Sequence, residues 1–285
     1  MITPEPIGTH ISSWGEGPVW HGNRLLYVDI EAHKILSFDP VSGRETIWDV
    51  GQRVGTVVPR ASGGLICAGD HGIFVLDETS GQSTLIVDPE SDISHNRFND
   101  GKCDPAGRLW VGSMDLRSPR QPTGALWCLD SDHRVEKKYS PATVSNGLVW
   151  TKDAQTMYYI DSPRKKVLAF DFDNANGNLS NERCLWDTAN ESGVPDGMTI
   201  DSEDRLWIAF CHGGKIVCYD PSSQKTVEEI HFPCSETTAC WFGGAEGRDL
   251  YVTTGIKPGK DEPHAGRLFV CRPGAHGAPG TAFAG

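Results

Sequence analysis

The sequence has no run approaching 18 apolar residues, no helix-period segment of useful length and no C-x-x-C pair. The first absence argues against a membrane-spanning helix. The second argues against a helical bundle or an α/β sheet. The third leaves nine cysteines, scattered and odd in number, to be read as reduced, mostly buried small residues of a cytoplasmic protein. A Cys211–Cys218 or Cys234–Cys240 disulfide is the alternative. The opening "MITPEPIGTH" has no basic stretch followed by an apolar one, so no secretory signal is expected. Positive charge is also short, with 26 Lys and Arg against 38 Asp and Glu, a net −12. Such a chain repels phosphate backbones, which argues against a nucleic-acid partner. Three catalytic signatures are missing: G-x-S-x-G, H-E-x-x-H and a phosphate-binding glycine loop.

What is present is turns and short strands. The 285 residues include 32 Gly and 18 Pro but only 38% hydrophobic residues, which suits an all-β protein. A chain of this length can bury a large core without disulfides. Six segments share one grammar of apolar strand, turn and apolar strand closing on Asp or Pro. They begin at "RLLYVDIEAHKILSFDP", "GLICAGDHGIFVLDETSG" and "RLWVGSMD", and continue at "TMYYIDSPRKKVLAFDFD", "RLWIAFCHGGKIVCYDPSS" and "DLYVTTG". Their centres fall at Leu26, Ile66, Leu109, Tyr158, Leu206 and Leu250, spaced 40, 43, 49, 48 and 44 residues apart. A period of this size with about four strands per unit predicts a six-bladed β-propeller, forming a single domain over residues 1–285. A pair of β-sandwiches with accidental spacing is the competing reading. The segment "EPIGTHISSW" precedes the first unit and is expected to supply the outermost strand of the sixth blade, closing the ring.

In a propeller the innermost strand of each blade starts near the central channel, so matching positions converge there. Nine to twelve residues before the strand centres lie Glu16-Gly17, Asp100-Gly101, Asn146-Gly147 and Asp196-Gly197. Units two and six offer Gly55-Thr56 and Ala239-Cys240 at this place. Asn-Gly and Asp-Gly are favoured turn pairs, which is the plain explanation. It does not account for Glu16 or for the apolar strand after each pair. Carboxylates facing one channel repel each other unless a cation neutralises them. Oxygen ligands suit Ca²⁺, Mg²⁺ or Mn²⁺, with Zn²⁺ or Fe²⁺ also admissible.

The stretches "GEGPVW", "NRFNDGKCDPAGRLWVGSM", "SNGLVW" and "PDGMTID", in this order along the chain, resemble the SMP-30/gluconolactonase/luciferin-regenerating family. The resemblance spans nearly the whole chain. It implies a six-bladed propeller with one divalent cation in its channel, held by Glu16, Asn146 and Asp196. It also implies sugar contacts from Arg97 and Asn99. Animal members carry a further sugar-contacting Glu just after the "GSM" strand. Here that stretch is "DLRSPRQPTG", with Asp115 and Arg117 near the place, so the resemblance fixes the reaction class more firmly than the substrate. Arg117 or Arg120 would suit an anionic or more oxidised substrate, and solvated loop arginines are the plainer reading.

The activity implied is hydrolysis of a sugar-acid lactone of the gluconolactone or xylonolactone kind. The partner is then a small molecule, with no nucleic acid or membrane involved, and the chain a monomer or small homo-oligomer. Asp196 is one candidate for the general base and Asp100 the other. For Asp100, a strand-start hydrogen bond to backbone is the structural alternative. A calcium-binding regulatory protein of the regucalcin type, without significant turnover, is the competing function, and a propeller acting through its rim is a third. His95, His212 and His231 are not spaced as ligands, although His212 in "FCHGGK" falls at a blade end. Trp20, Trp150 and Trp241 are expected to pack between blades.

Overall fold

In the computed structural model, which describes residues 2–285, each repeat forms a four-stranded antiparallel sheet, and six such sheets make a β-propeller. The innermost strands are Gly15–His21, Val54–Pro59, Asn96–Cys103, Ser145–Trp150, Val194–Ile200 and Thr237–Gly243. The apolar runs that mark the repeat are the second strands. Those such as Leu65–Gly69 and Leu206–Cys211 are buried at every position. A continuous apolar run is what a strand packed on both faces requires.

Both faces are covered because the core lies between the blades. Leu26, Val28 and Ile35 of blade one meet Val54, Leu65 and Phe74 of blade two. Blade three packs on blade four through Trp110, Leu126, Trp150 and Tyr159, and blades six and one meet through Tyr251, Leu268, Leu25 and Phe38. Trp20 stacks on Tyr251 with ring centroids 5.5 Å apart, and Trp150 lies edge-on to Trp110 at 5.8 Å. Trp241 of blade six joins the cluster between blades one and two. These tryptophans are inter-blade packing, as expected.

The N-terminal strand Glu5–Ile7 pairs antiparallel with Leu268–Cys271 as the outermost strand of blade six. The strand that closes the ring therefore comes from the opposite end of the chain. The recurring "D…RLW" segments have a local cause. Asp104 accepts Arg108 Nε and Trp110 Nε1 and also caps the turn between them, and Asp201 does the same for Arg205 and Trp207. Both aspartates are fully buried and fully partnered, so their charge is structural.

Every innermost strand carries a one-residue bulge near its first half, between Glu16/Val19, Val54/Thr56, Phe98/Gly101, Asn146/Leu148, Pro195/Met198 and Thr237/Ala239. A bulge re-aims the side chain beside it. Gly17 has a left-handed φ of 53°, but Gly101, Gly147 and Gly197 lie outside that region and are not turn glycines. They permit close approach instead. A Cβ on Gly197 would sit 2.4 Å from the Cβ of Ala239, and one on Gly147 would sit 2.7 Å from the carbonyl oxygen of Asp196. The blades crowd together at the channel, and the pairs that look like turns in the sequence are contacts between neighbouring inner strands.

Candidate functional site

The bulges bring Glu16, Asp100, Asn146 and Asp196, from blades one, three, four and five, to the same end of the channel. Arg97 and Asn99 stand beside them, and none of the six exposes more than 8% of its surface. Glu16 Oε2 accepts the Gly17 amide at 2.7 Å, and Asp100 Oδ1 accepts the Gly101 amide at 2.8 Å. The strand-start hydrogen bond considered for Asp100 is therefore present. Its other oxygen, Oδ2, is buried without a hydrogen-bond partner among the described residues. A buried carboxylate oxygen left unpaired is costly unless something absent from the protein itself accounts for it.

The three carboxylates feel one another. Burial first, and then the charge of Asp100, pushes Glu16 up to about 8, despite Lys102 and Arg97 nearby. Burial raises Asp100. Burial followed by the charges of Glu16 and Asp100 raises Asp196 well above the carboxylate range. Lys102 gives limited relief, because its ammonium donates to the carbonyl of Met198 and lies 5.3 Å from the Trp241 ring centroid. In the positions corresponding to these acids, blades two and six place Thr56 and Thr238. Their buried hydroxyls donate to the carbonyls of Asn99 and Gly15, each at 2.6 Å. The position in blade six is thus Thr238, one residue before the Ala239-Cys240 pair expected from spacing.

Asn146, Asn99 and Arg97 form a chain of hydrogen bonds. Arg97 Nη1 donates to Asn99 Oδ1 at 2.7 Å, and Asn99 Nδ2 donates to Asn146 Oδ1 at 2.9 Å. Asn146 Nδ2 in turn donates to Ser162 Oγ at 2.8 Å, which fixes the amide with its oxygen toward Asn99. That oxygen keeps one lone pair free. Burial lowers the Arg97 guanidinium to about 10, which leaves it charged at neutral pH, and its Nε has no partner among the described residues. A cleft of about 300 Å³ opens at Arg97, lined also by Arg53, Asp70, His71 and Leu116. A second, more apolar cavity of about 370 Å³ reaches Asp100 and Lys102 and is walled by Val57, Val149, Trp241 and the C-terminal segment Ala278–Thr281.

Arg117 folds back onto Asp115, with Nε donating at 2.9 Å and Nη2 at 3.0 Å to its two oxygens. Arg120 is exposed and, with Arg53, bears electrostatically on Arg97.

Cys211, His212 and Glu236 were not among the expected site residues. Cys211 ends the second strand of blade five, close enough to Asp196 to feel its charge. The signal for it lies in the repeat. Asp29, Asp115 and Asp161 occupy the same ladder position in blades one, three and four, each at the end of a second strand opposite Gly15, Asn96 and Ser145. In blade five the residue opposite Val194 is Cys211.

Residues 14–256 match the pattern of the SMP-30/Gluconolactonase/LRE-like region. The chain belongs to this family. A regucalcin of Xenopus laevis is 37% identical over 284 residues, with 95% of each chain covered. Among solved structures, a luciferin-regenerating enzyme superimposes with a TM-score of 0.92 at 29% identity, over 100% of both chains. A gluconolactonase from Xanthomonas campestris shares the fold, with a TM-score of 0.77 at 21% identity over 95% of this chain and 89% of that one. The SMP-30/gluconolactonase propeller is thus the frame in which the buried acids sit. Among the described residues no helix is long and apolar enough to cross a membrane.

Proposed function

We propose that this chain is a divalent-cation-dependent hydrolase that opens sugar-acid lactones, of the gluconolactone or xylonolactone kind, to aldonic acids. The observation that carries this reading is the set of three mutually repelling buried carboxylates, one with an unpaired oxygen, beside an amide oxygen with a free lone pair. That donor set fits a cation bound by oxygen. Glu16, Asn146 and Asp196 would hold it, two carboxylates matching its charge and one neutral oxygen adding no more. Bound there, a divalent ion supplies a Lewis acid for a lactone carbonyl and lowers the pKa of water.

The chain's own groups have the remaining work. Water adds to the carbonyl carbon, the ring C–O bond breaks, and the ring oxygen leaves as the new hydroxyl. A carboxylate must take the proton of the attacking water, and both Asp100 and Asp196 are candidates. Asp100 Oδ2 has no competing donor, which favours it. Arg97, held by Asn99 and with a donor to spare, suits a substrate hydroxyl or the oxygen that gains charge at the carbonyl. Asn99 orients Arg97 and Asn146 together. The nine free cysteines, eight of them buried, suit a reducing, cytoplasmic setting.

The test is pH-stat hydrolysis of a panel of aldonolactones by chelator-treated protein resupplied with single divalent ions. Turnover should return with an ion and be lost in Glu16→Gln and Asp196→Asn together with ion binding. Arg97→Ala should keep the ion and lose at least ~10²-fold in kcat/KM. Tight calcium binding without turnover on any lactone would replace the hydrolase by the calcium-binding regulatory reading, which the regucalcin relatives also suit.

A further inference from the structure

The carboxylate that ends the second strand of blades one, three and four has a structural task. Asp29 accepts the amides of Ser13 and Trp14, both at 3.1 Å, and Asp161 accepts those of Thr143 and Val144 at 3.1 and 2.9 Å. Asp115 caps its own loop through the amides of Arg117 and Gln121. Blade five gives up this acceptor for the thiol of Cys211. That thiol turns toward the first residues of blade six, where Glu236 is waiting. Cys211 Sγ lies 3.1 Å from Glu236 Oε2 and 3.9 Å from His212 Nδ1, and the imidazole nitrogen lies 2.7 Å from the same carboxylate oxygen.

A thiol, an imidazole and a carboxylate converging within 4.8 Å form a mixed ligand set. In a tetrahedral zinc site, bonds of about 2.0–2.3 Å put ligand atoms about 3.3–3.5 Å apart, and the three separations here bracket that value. Cys211 and Glu236 are buried, while the His212 side chain is half-exposed, so an ion has an entry path and room for water. The second carboxylate oxygen, Oε1, is held by Lys257 Nζ at 3.2 Å and approached by Ser235 Oγ at 3.4 Å, while Oε2 accepts the His212 amide at 3.1 Å and faces the thiol and the ring. Neither Ca²⁺ nor Mg²⁺ selects sulfur, whereas Zn²⁺ accepts all three ligand types.

We propose that Cys211, His212 and Glu236 form a second cation site, suited to Zn²⁺, at the rim between blades five and six. It shares no ligand with the channel group of Glu16, Asn146 and Asp196. The Cys211 thiol and the Asp196 carboxylate nevertheless lie close enough to interact electrostatically. Binding displaces the thiol proton and the hydrogen bond between the His212 ring and Glu236, and leaves the His212 amide on Oε2.

The experiment titrates reduced, chelator-stripped full-length protein with Co²⁺, which gives a near-ultraviolet charge-transfer band only when a thiolate is bound, and then displaces it with Zn²⁺. The expected result is such a band in the unaltered protein, absent in Cys211→Ser. In His212→Asn the affinity read from the band should fall at least ~10-fold, since losing even an outer partner of a ligand costs that much. Asparagine tolerates the positive φ of 66° at this position, so the variant should fold. Zinc content should drop by one equivalent per chain in Cys211→Ser, and Asp196→Asn should keep the band. The proposal is overturned if no band forms. It is equally overturned if His212→Asn binds Co²⁺ with unchanged affinity, or if Asp196→Asn abolishes the band while His212→Asn leaves it intact, since the thiolate would then belong to the channel ion.

Discussion

At the residue scale, the defining fact is that Glu16, Asp100 and Asp196 are acids kept where acids are least comfortable. Desolvation is the larger cause and repulsion the second, and both favour the protonated form. Glu16 goes from an ordinary 4.5 to about 8 in the folded chain. Between these values the native state holds a proton that the unfolded chain has lost, so ion-free stability falls as pH rises through this window and levels off above it. Asp100 and Asp196 act with the same sign. A divalent cation among them removes the reason to hold protons. Thermal unfolding of chelator-treated protein should therefore weaken from pH 5 to pH 8, by a few kcal/mol in total, and the loss should shrink with saturating divalent ion. Glu16→Gln should flatten the ion-free trend. An ion-free midpoint as steady with pH in the parent as in Glu16→Gln would mean that Glu16 is ionised in the fold and that the channel is better solvated than its burial indicates.

At the element scale, the inner strand is the unit that converts a repeat into a site. Its bulge aims one side chain inward, and its glycine lets the neighbouring strand come close enough to share the channel. Gly197→Ala is the sharpest probe, because the added methyl would fall 2.4 Å from Ala239 on the next blade. We expect a loss of about 1–3 kcal/mol in urea unfolding, as overpacking usually costs, together with weaker cation binding at Asp196. Unchanged binding would show that the spacing between blades five and six does not set the site. The same geometry explains what could be read in advance. Second strands were legible because packing on both faces demands unbroken apolar runs, and six of them gave the blade count. Outer strands such as Ser83–Val87 and Lys225–His231 are largely exposed, so nothing in their composition marks them. Glu16, Asp100, Asn146 and Asp196 could be picked out because X-Gly pairs recur nine to twelve residues before the strand centres, and the family resemblance singled out Glu16, Asn146 and Asp196 among them. Thr238 could not, because each bulge slips the register by one and the hydroxyl pairs with backbone across a blade boundary. Cys211 and Glu236 escaped for another reason: they meet between blades five and six, 25 residues apart in the chain, and a departure from a repeat becomes visible only once the ladder fixes which residues are equivalent.

At the scale of the whole molecule, the acids meet because the ring is closed, and closure depends on contacts between the two ends of the sequence. The hydrophobic clusters lie between blades, so each blade is stabilised by its neighbours, and a gap between any two exposes two apolar faces. The seam of the ring lies inside blade six, where the last strand, Leu268–Cys271, meets the first, Glu5–Ile7, whose chain runs on to the inner strand of blade one. It is held by Glu5–Ile7 against Leu268–Cys271, by the Ser12 amide on Gly266 O at 2.8 Å, and by Thr238 Oγ1 on Gly15 O, the residue before Glu16. Stability and cation binding should therefore fail together when the seam is loosened. Deletion through Ile7 leaves an unpaired edge on Leu268–Cys271, which invites pairing between molecules. It should lower Tm by several degrees, at roughly 2–4 °C for each kcal/mol lost, and promote aggregation on heating. It should also weaken the channel cation, because the strand carrying Glu16 is tied to blade six next to that residue. Calorimetric titration of the truncated and full-length chains with the same ion, below both unfolding transitions, separates the two effects. A truncated chain that melts earlier but binds the ion as tightly as the parent would mean that the inner strands alone hold the acids in register.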